Sequence, residues 1–332
     1  MKIIGKFPST RLRRVRNSKW MRRLVSENDI SSSDLIQPIF VRDGKRKIEH
    51  IKTMPGVYRY SVDRLDVIMN KVKKLKIPMV ALFPFTPKNK KDKLGSEALN
   101  ENNLVCRSIK YIKRKFPQIG IMCDVALDPY TSHGHDGVII NNKIDNDKTI
   151  EILVKQSLLQ SKMGCDVIAP SDMMDGRIGK IRKSLDKNNF KDTCIISYAA
   201  KYASSFYGPF RDAVGSKKNL KTDKKTYQMD YKNSNEAFRE IGLDIKEGAD
   251  IVMVKPGLPY LDIIRNIKEN FRIPVFAYQV SGEYSLIKHG IEKKIITDEA
   301  IYESLISFKR SGASAIITYF AIEMASKLKK TN

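Results

Sequence analysis

The sequence predicts a closed (β/α)8 barrel, a TIM barrel, preceded by an extended N-terminal arm. Eight short apolar runs, each bounded by turn-forming or polar residues, occur in order along the 332 residues, and segments with helical periodicity lie between them. Most of the runs are continuously apolar rather than alternating, which is typical of strands buried on both faces of a parallel sheet. A strand-helix unit repeated eight times is the pattern of a barrel of about 250 residues.

The predicted strands follow one another at regular intervals. They are residues 35–41, 79–85, 119–127, 166–171, 194–199, 251–256, 274–280 and 315–321. The clearest helical segments between them are residues 61–76, 96–115, 149–164 and 234–248, of which the last two end at Gly164 and Gly248 as helix C-caps. We expect residues 1–32 to form the arm and residues 33–332 the barrel. An open doubly wound sheet is the alternative, and the absence of G-x-G-x-x-G after the first strand argues against it.

The charge of the chain is strongly positive. Sixty-one Lys and Arg against 37 Asp and Glu give a formal charge of +24, which by itself suggests a polyanion as a partner. The lysines are spread through nearly all polar segments, without a zinc-finger, RNA-recognition or basic-zipper signature, so a lysine-rich solvated surface is the favoured interpretation. We expect no specific nucleic-acid partner. The exception is the arginine cluster between residues 11 and 23, which could contact a neighbouring subunit or a phosphate.

Composition also bears on the compartment. The N-terminal segment lacks the apolar centre and cleavage site of a signal peptide, and no apolar run approaches the roughly 20 residues that span a bilayer. The four cysteines stand far apart among mostly apolar neighbours, as reduced buried thiols do. We therefore expect a cytoplasmic protein without a membrane segment.

Two lysines stand at the ends of neighbouring predicted strands, where TIM barrels carry their chemistry. Lys255 ends the apolar run IVMV, and a buried amine must either find a partner or lose its proton. Lys201 follows the preceding strand, and adjacent strands lie about 5 Å apart, so two cations there would lower each other's pKa. A neutral amine forms Schiff bases with ketones. The alternative is that either lysine only snorkels or forms a salt bridge.

Six segments of the chain resemble the porphobilinogen synthase (5-aminolevulinate dehydratase) family. The stretch GADIVMVKPGLPY at 248–260 is similar to its active-site signature, a long and specific pattern. The others are residues 8–14, 124–137, 164–179, 197–213 and 278–284. The resemblance implies a hydro-lyase that condenses two 5-aminolevulinates to porphobilinogen with loss of two waters, early in haem biosynthesis. It also implies that Lys201 and Lys255 both form Schiff bases.

The resemblance assigns further residues to the substrates. The residues implied for the substrate carboxylates are Arg211, Lys224, Gln228, Ser281 and Tyr319. Tyr207 and Phe210 would form the walls of the pocket, and Asp124 and Ser171 would orient the substrate amine and relay protons. Residues 203–228 resemble a lid. Lys224 stands where the family usually has Arg, so we expect weaker binding than in relatives with the bidentate group.

The metal positions point away from zinc. The zinc-dependent branch has three cysteines where this chain has Ala126, Asp128 and Asp136, and this set cannot form a thiolate zinc site. The chain resembles the aspartate-rich, magnesium-dependent branch, in which Asp128 and Asp136 are candidate ligands. Glu240 matches the carboxylate of the allosteric magnesium site.

The resemblance also implies a homo-octamer in which the arm wraps a neighbouring barrel. Two other functions remain open at this point. One is another Schiff-base barrel of the class I aldolase type, which needs a single lysine. The other is a polyanion-binding protein, which the charge alone would suggest.

Overall fold

The computed structural model describes residues 5–215 and 223–331. The described strands, numbered in chain order, are β1 (Leu35–Arg42), β2 (Ile48–His50), β3 (Tyr58–Ser61), β4 (Met79–Phe85), β5 (Gly120–Val125), β6 (Val138–Ile140), β7 (Lys143–Asp145), β8 (Val167–Pro170), β9 (Cys194–Lys201), β10 (Ile251–Lys255), β11 (Val275–Gln279) and β12 (Ala315–Thr318). 

Helices alternate with these strands. They are α1 (Lys19–Leu24), α2 (Leu65–Lys74), α3 (Leu104–Lys115), α4 (Asn146–Lys162), α5 (Arg177–Lys187), α6 (Gly208–Ala213), α7 (Asn235–Glu247), α8 (Leu261–Asn270), α9 (Ser281–Glu292), α10 (Glu299–Arg310) and α11 (Ala321–Thr331). Within the described part of the chain no helix is long and apolar enough to cross a bilayer.

Eight strands form a closed parallel barrel in the order β1-β4-β5-β8-β9-β10-β11-β12. The ring closes where Leu35 and Ile36 of β1 pair with Ile316 and Ile317 of β12. The strands are apolar along most of their length because their inner faces fill the barrel and their outer faces pack against the helices. The predicted TIM barrel is confirmed, and the open-sheet alternative is wrong.

Local signals in the sequence also correspond to the observed helix ends. Gly164 and Gly248 have φ of 101° and 105°, in the left-handed region that a side chain rarely tolerates. The helical segment expected at 96–115 divides into a 3-10 turn over Ser96–Leu99 and helix α3. The Asn103 side chain accepts the amide of Cys106 at 2.8 Å and so caps the start of α3.

Several strand ends differ from the prediction. Tyr319 was expected inside the eighth strand, but β12 ends at Thr318, whose Oγ1 accepts the Phe320 amide at 3.1 Å and turns the chain into α11. Ser281 was expected to end the seventh strand and instead begins α9. Lys201, expected just beyond the fifth strand, is the last residue of β9. The apolar pattern does not mark these ends, because hydrogen bonding of the backbone decides them.

The segment before the barrel is mostly exposed to solvent. The 3-10 turn over Leu12–Arg16 and helix α1 contain no buried residue, and Trp20 is 65% exposed. The division of the chain at residue 32 remains a prediction.

Candidate active site

The carboxyl ends of the barrel strands surround one pocket, which collects most of the residues singled out from the sequence. The pocket is lined by Asp128, Lys201, Tyr207, Phe210, Arg211, Lys224, Gln228 and Lys255. Part of the expected lid, residues 216–222, lies outside the described residues. The remaining lid residues bring Arg211 on α6, and Lys224 and Gln228 beyond it, over the barrel mouth.

The two lysines are direct neighbours across the sheet. Lys255 at the end of β10 pairs in register with Lys201 at the end of β9, and both are buried. Burial, and then the adjacent Lys201 ammonium, lower the pKa of Lys255 to about 7, against opposing contributions from Asp124, Asp128 and Asp136. About half of the Lys255 side chains would thus be neutral near pH 7 and able to attack a ketone.

Aromatic rings surround the Lys255 amine. Its Nζ lies 4.6 Å from the ring centroid of Tyr278, 4.9 Å from Tyr198, 5.3 Å from Phe210 and 5.6 Å from Tyr207. These rings exclude water, which explains why burial is the largest cause of its lowered pKa. Their faces also attract a cation, so they can hold a protonated amine or iminium.

Lys201 has a different environment. Its ammonium is 3.3 Å from Asp136 Oδ1, and it also donates to the Ser171 carbonyl oxygen. A buried lysine was expected either to pair with an acid or to lose its proton. Lys201 pairs with Asp136, whereas the pKa of Lys255 falls to about 7. Direct contact with Asp136 distinguishes Lys201, and burial among aromatic rings distinguishes Lys255.

Asp136 is the centre of a polar cluster. Its Oδ2 is 2.6 Å from Lys224 Nζ and accepts a 2.8 Å hydrogen bond from the Tyr227 hydroxyl. Burial by itself raises the pKa of a carboxyl, but the Lys201 and Lys224 ammonium groups hold the pKa of Asp136 well below its usual range. Lys224 also pairs with Asp128 Oδ2 at 3.2 Å. In this arrangement both carboxylates are neutralised by protein cations.

Asp124, on β5, is a further buried carboxyl group near the two lysines. Burial raises the pKa of Asp124 to about 6, the nearby Lys255 and Lys201 oppose the rise, and a hydrogen bond from the Ser171 side chain lowers it. Its Oδ1 accepts no hydrogen bond from the described residues. A carboxyl that titrates near neutrality beside an amine can give and take protons. The structure thus brings Asp124 and Ser171 together.

The two hydroxyls expected to hold a carboxylate contact residues whose rings surround Lys255, although neither lines the pocket itself. Ser281 Oγ accepts the Phe210 amide at 2.8 Å, and the Tyr319 hydroxyl is 2.9 Å from that of Tyr278. The Tyr207 hydroxyl donates to the carbonyl oxygens of Tyr202 and Lys255 at 2.9 and 3.1 Å. These contacts fix the side chains around the Lys255 amine.

Glu240 lies apart from this pocket, half-buried on the outer helix α7. Burial and the nearby Asp244 and Asp175 raise its pKa, although Arg177 opposes the rise. A carboxylate with excess negative charge around it suits a magnesium ion that keeps most of its waters. Asp128 and Asp136 do not suit a cation in the observed conformation, because Lys224 already pairs with both. Among the described residues no three His, Cys, Asp or Glu side chains form a metal-binding group.

Several residues of the site were not predicted. Tyr198 and Tyr278 contribute to the aromatic surroundings of Lys255, and Tyr227 holds Asp136. Arg59 donates to the backbone oxygens of Asp212 and Ala213 at 2.8 and 2.6 Å, and so ties the end of α6 to β3. Tyr198 could have been identified from the sequence as a neighbour of the site, because it stands three residues before Lys201 on the same strand. Arg59 carries no local signal, since its partners are more than 150 positions away in sequence.

A parallel barrel with two buried lysines side by side at its carboxyl-end mouth, one of them with a pKa near neutrality, defines an enzyme of the Schiff-base class. The family is given by comparison with known proteins. The model of the family described as Delta-aminolevulinic acid dehydratase matches residues 9–327. The chain belongs to the delta-aminolevulinic acid dehydratase family, which confirms the family and the lyase class expected from the sequence.

The relatives cover nearly the whole chain. The chain is 55% identical over 320 residues to the delta-aminolevulinic acid dehydratase of Bradyrhizobium diazoefficiens, covering 96% of this chain and 91% of that protein. It is 51% identical to the enzyme of Methanothermus sociabilis, covering 97% and 100%. A crystal structure of the Toxoplasma gondii enzyme, in complex with the reaction product porphobilinogen, superposes with a TM-score of 0.95 at 45% identity, covering 97% and 92%. These matches favour the dehydratase over the aldolase-like and polyanion-binding alternatives.

Proposed function

We propose that the chain condenses two molecules of 5-aminolevulinate into porphobilinogen with release of two waters, and that Lys201 and Lys255 hold one substrate each. The observation that carries the proposal is the in-register pairing of the two buried lysines at the mouth of the barrel. The amine of each lysine adds to the ketone of one substrate molecule, and one water leaves as each imine forms. The two imines thus account for the two waters released. Two amines allow both ketones to be activated together.

The surroundings of the two lysines differ. Lys255, with a pKa of about 7, supplies a neutral amine near pH 7. Lys201 is held by its contact with Asp136. Asp124 and Ser171 lie beside both lysines, and Asp124 has the pKa of about 6 expected of a group that exchanges protons near neutrality.

The substrate carboxylates have two sets of partners in this proposal. One set is Arg211, Lys224 and Gln228 on the lid side, and the other is Ser281 and Tyr319 on the α9 side. Lys224 is engaged with Asp128 and Asp136, so an incoming carboxylate competes with these two residues for its ammonium. Phe210 and Tyr207 form the wall between the pocket and water.

The remaining parts of the proposal concern metal, assembly and location. Glu240 holds an allosteric magnesium ion, and no step of the chemistry depends on zinc.

The exposed arm, with Leu12, Trp20 and Leu24 all at least 65% exposed, packs against a neighbouring barrel in a homo-octamer. The protein acts in the cytoplasm. Asp128 and Asp136 as ligands of a hard cation remain a prediction that requires Lys224 to move away.

The test is a direct assay followed by trapping. Purified enzyme with 5-aminolevulinate should form a pyrrole detected by its colour reaction, and borohydride should trap substrate on the peptides containing Lys201 and Lys255. Lys201→Met and Lys255→Met variants should each lose activity. Lys201 should still be labelled in Lys255→Met, and Lys255 should still be labelled in Lys201→Met, although more slowly at pH 7 because the neighbouring cation is lost. Pyrrole formation in the Lys255→Met variant at the wild-type rate would contradict the proposed mechanism.

A further inference from the structure

A buried carboxylate outside the pocket connects the segment after Lys255, at the end of β10, with the segment that enters α9 at Ser281. Glu283, in the first turn of α9, is 3% exposed. Its Oε1 accepts the Leu258 amide at 2.6 Å, its Oε2 accepts the Val280 amide at 2.5 Å, and the Gly257 amide also donates to it. Leu258 lies 25 positions before Glu283 in the sequence, so this contact joins two separate segments of the chain.

The partners of Glu283 are all backbone N–H groups. Burial raises its pKa and the three amides oppose the rise, and no cationic side chain of the described residues contributes. A buried acid held by backbone amides alone cannot be explained as an ion pair. Its hydrogen bonds instead determine the path of residues 257–258, which follow Lys255 after Pro256, and of residue 280, directly before Ser281.

The backbone is closely packed at Gly257 and at Gly282. A Cβ on Gly257 would lie 2.3 Å from the Phe308 ring, and a Cβ on Gly282 would lie 2.4 Å from the backbone oxygen of Phe206. Gly257 is therefore enclosed between Glu283 and α10. The start of α9 is pressed against the turn that leads into α6, which carries Phe210 and Arg211.

We propose that Glu283 is a positioning residue that sets the separation between the Lys255 amine and the Ser281 hydroxyl. This inference rests on the proposed function, in which one substrate spans these two groups. If the two strand ends shift relative to each other, the ketone no longer meets the amine when the carboxylate is bound. The chemistry at Lys201, which Glu283 does not contact, is left unchanged.

The test is Glu283→Gln, which keeps the volume but places an NH2 group against a backbone N–H. Glu247→Gln is the matched control, because Glu247 Oε2 accepts the Gly179 amide at 3.0 Å on the outer helices, away from the pocket. Borohydride trapping with 5-aminolevulinate measures the labelling rates of Lys255 and Lys201 separately. Thermal unfolding confirms that each variant is folded.

Glu283→Gln should label Lys255 roughly ten- to hundredfold more slowly than wild type, as expected for a misplaced reactive group, and should raise KM. Lys201 labelling, and both lysines in Glu247→Gln, should remain within about twofold of wild type. Unchanged Lys255 labelling in folded Glu283→Gln, or an equal loss at both lysines, would overturn the inference. Failure of the proposed function is distinct, because wild type would then show no labelling.

A second measurement needs no variant. Hydrogen exchange of the wild-type enzyme should find the amides of Gly257, Leu258 and Val280 among the slowly exchanging groups, although Gly257 and Leu258 stand at the start of the 3-10 turn Leu258–Tyr260, where an amide has no partner within the turn. Exchange of these amides as fast as that of the exposed loops would overturn the role of Glu283.

Discussion

Removing the cation beside Lys255 should make its amine less reactive at neutral pH. In Lys201→Gln the neighbouring positive charge is lost, while Asp124, Asp128 and Asp136, which raise the pKa of Lys255, all remain. Paired residues on adjacent strands are about 5 Å apart. At that distance and an effective dielectric constant of about 20, the repulsion is about 3 kcal/mol, or about two pKa units. The pKa of Lys255 should therefore rise from about 7 to about 9.

The assay is single-turnover trapping with borohydride and 5-aminolevulinate, followed by mass mapping of the Lys255 peptide across pH. It reports on Lys255 alone, so the loss of overall activity in the variant does not obscure it. In wild type the trapping rate should rise with pH through about 7, because the neutral amine is the nucleophile. In Lys201→Gln the midpoint should move upward, and the rate at pH 7 should fall by roughly 50-fold.

Lys225→Gln is the matched control, since it removes an equal charge from an exposed position on the same segment as Lys224. Its midpoint should stay at the wild-type value. A midpoint in Lys201→Gln that is unchanged, or lower than in wild type, would refute the electrostatic role given to Lys201 and leave burial as the whole cause.

Other parts of the site can be tested in the same way. Lys224→Arg should lower KM by about threefold to tenfold, because Arg can make a bidentate contact with the substrate carboxylate. An unchanged KM in steady-state assays would argue against the expectation that Lys224 weakens substrate binding. Tyr227→Phe removes a hydrogen bond to the buried Asp136 carboxylate and should cost about 1.5–3 kcal/mol, read from denaturant unfolding; a change below about 0.5 kcal/mol would count against it. EDTA should lower activity and magnesium should restore it, with no restoration in Glu240→Ala; restoration by zinc alone would contradict the metal assignment. Deleting residues 1–25 should disrupt the octamer and the magnesium response before the barrel unfolds, and an intact octamer by analytical ultracentrifugation would exclude the proposed role of the arm.

The barrel was predictable because its signal is repeated. Each strand buries both faces, so a continuous apolar run marks it without knowledge of its partners. The strand ends were less predictable. Thr318 ends β12 through a local hydrogen bond, and Ser281 belongs to a helix although it follows directly on an apolar run.

The candidate site was predicted in composition but not in arrangement. Arg211, Lys224 and Gln228 join Lys201 and Lys255 in one pocket, as expected, while Glu240 lies on the outer layer. The aromatic surroundings of Lys255 could not be derived from sequence spacing, since Tyr198 and Tyr278 come from strands 80 positions apart and meet only because the barrel closes. The sequence did not indicate that Glu283 is buried, since its partners are backbone amides, which do not depend on residue type.

The sequence by itself determined that this chain forms a parallel barrel with two lysines at the ends of adjacent strands, because strand order and residue type are local properties. Only the tertiary structure decided that the two lysines are unequal. Lys201 meets Asp136, which is 65 positions away, whereas Lys255 meets aromatic rings, and burial lowers its pKa to about 7. The pKa of a buried amine depends on the charges and solvent within a few ångströms, and those neighbours are brought together only by the closed fold.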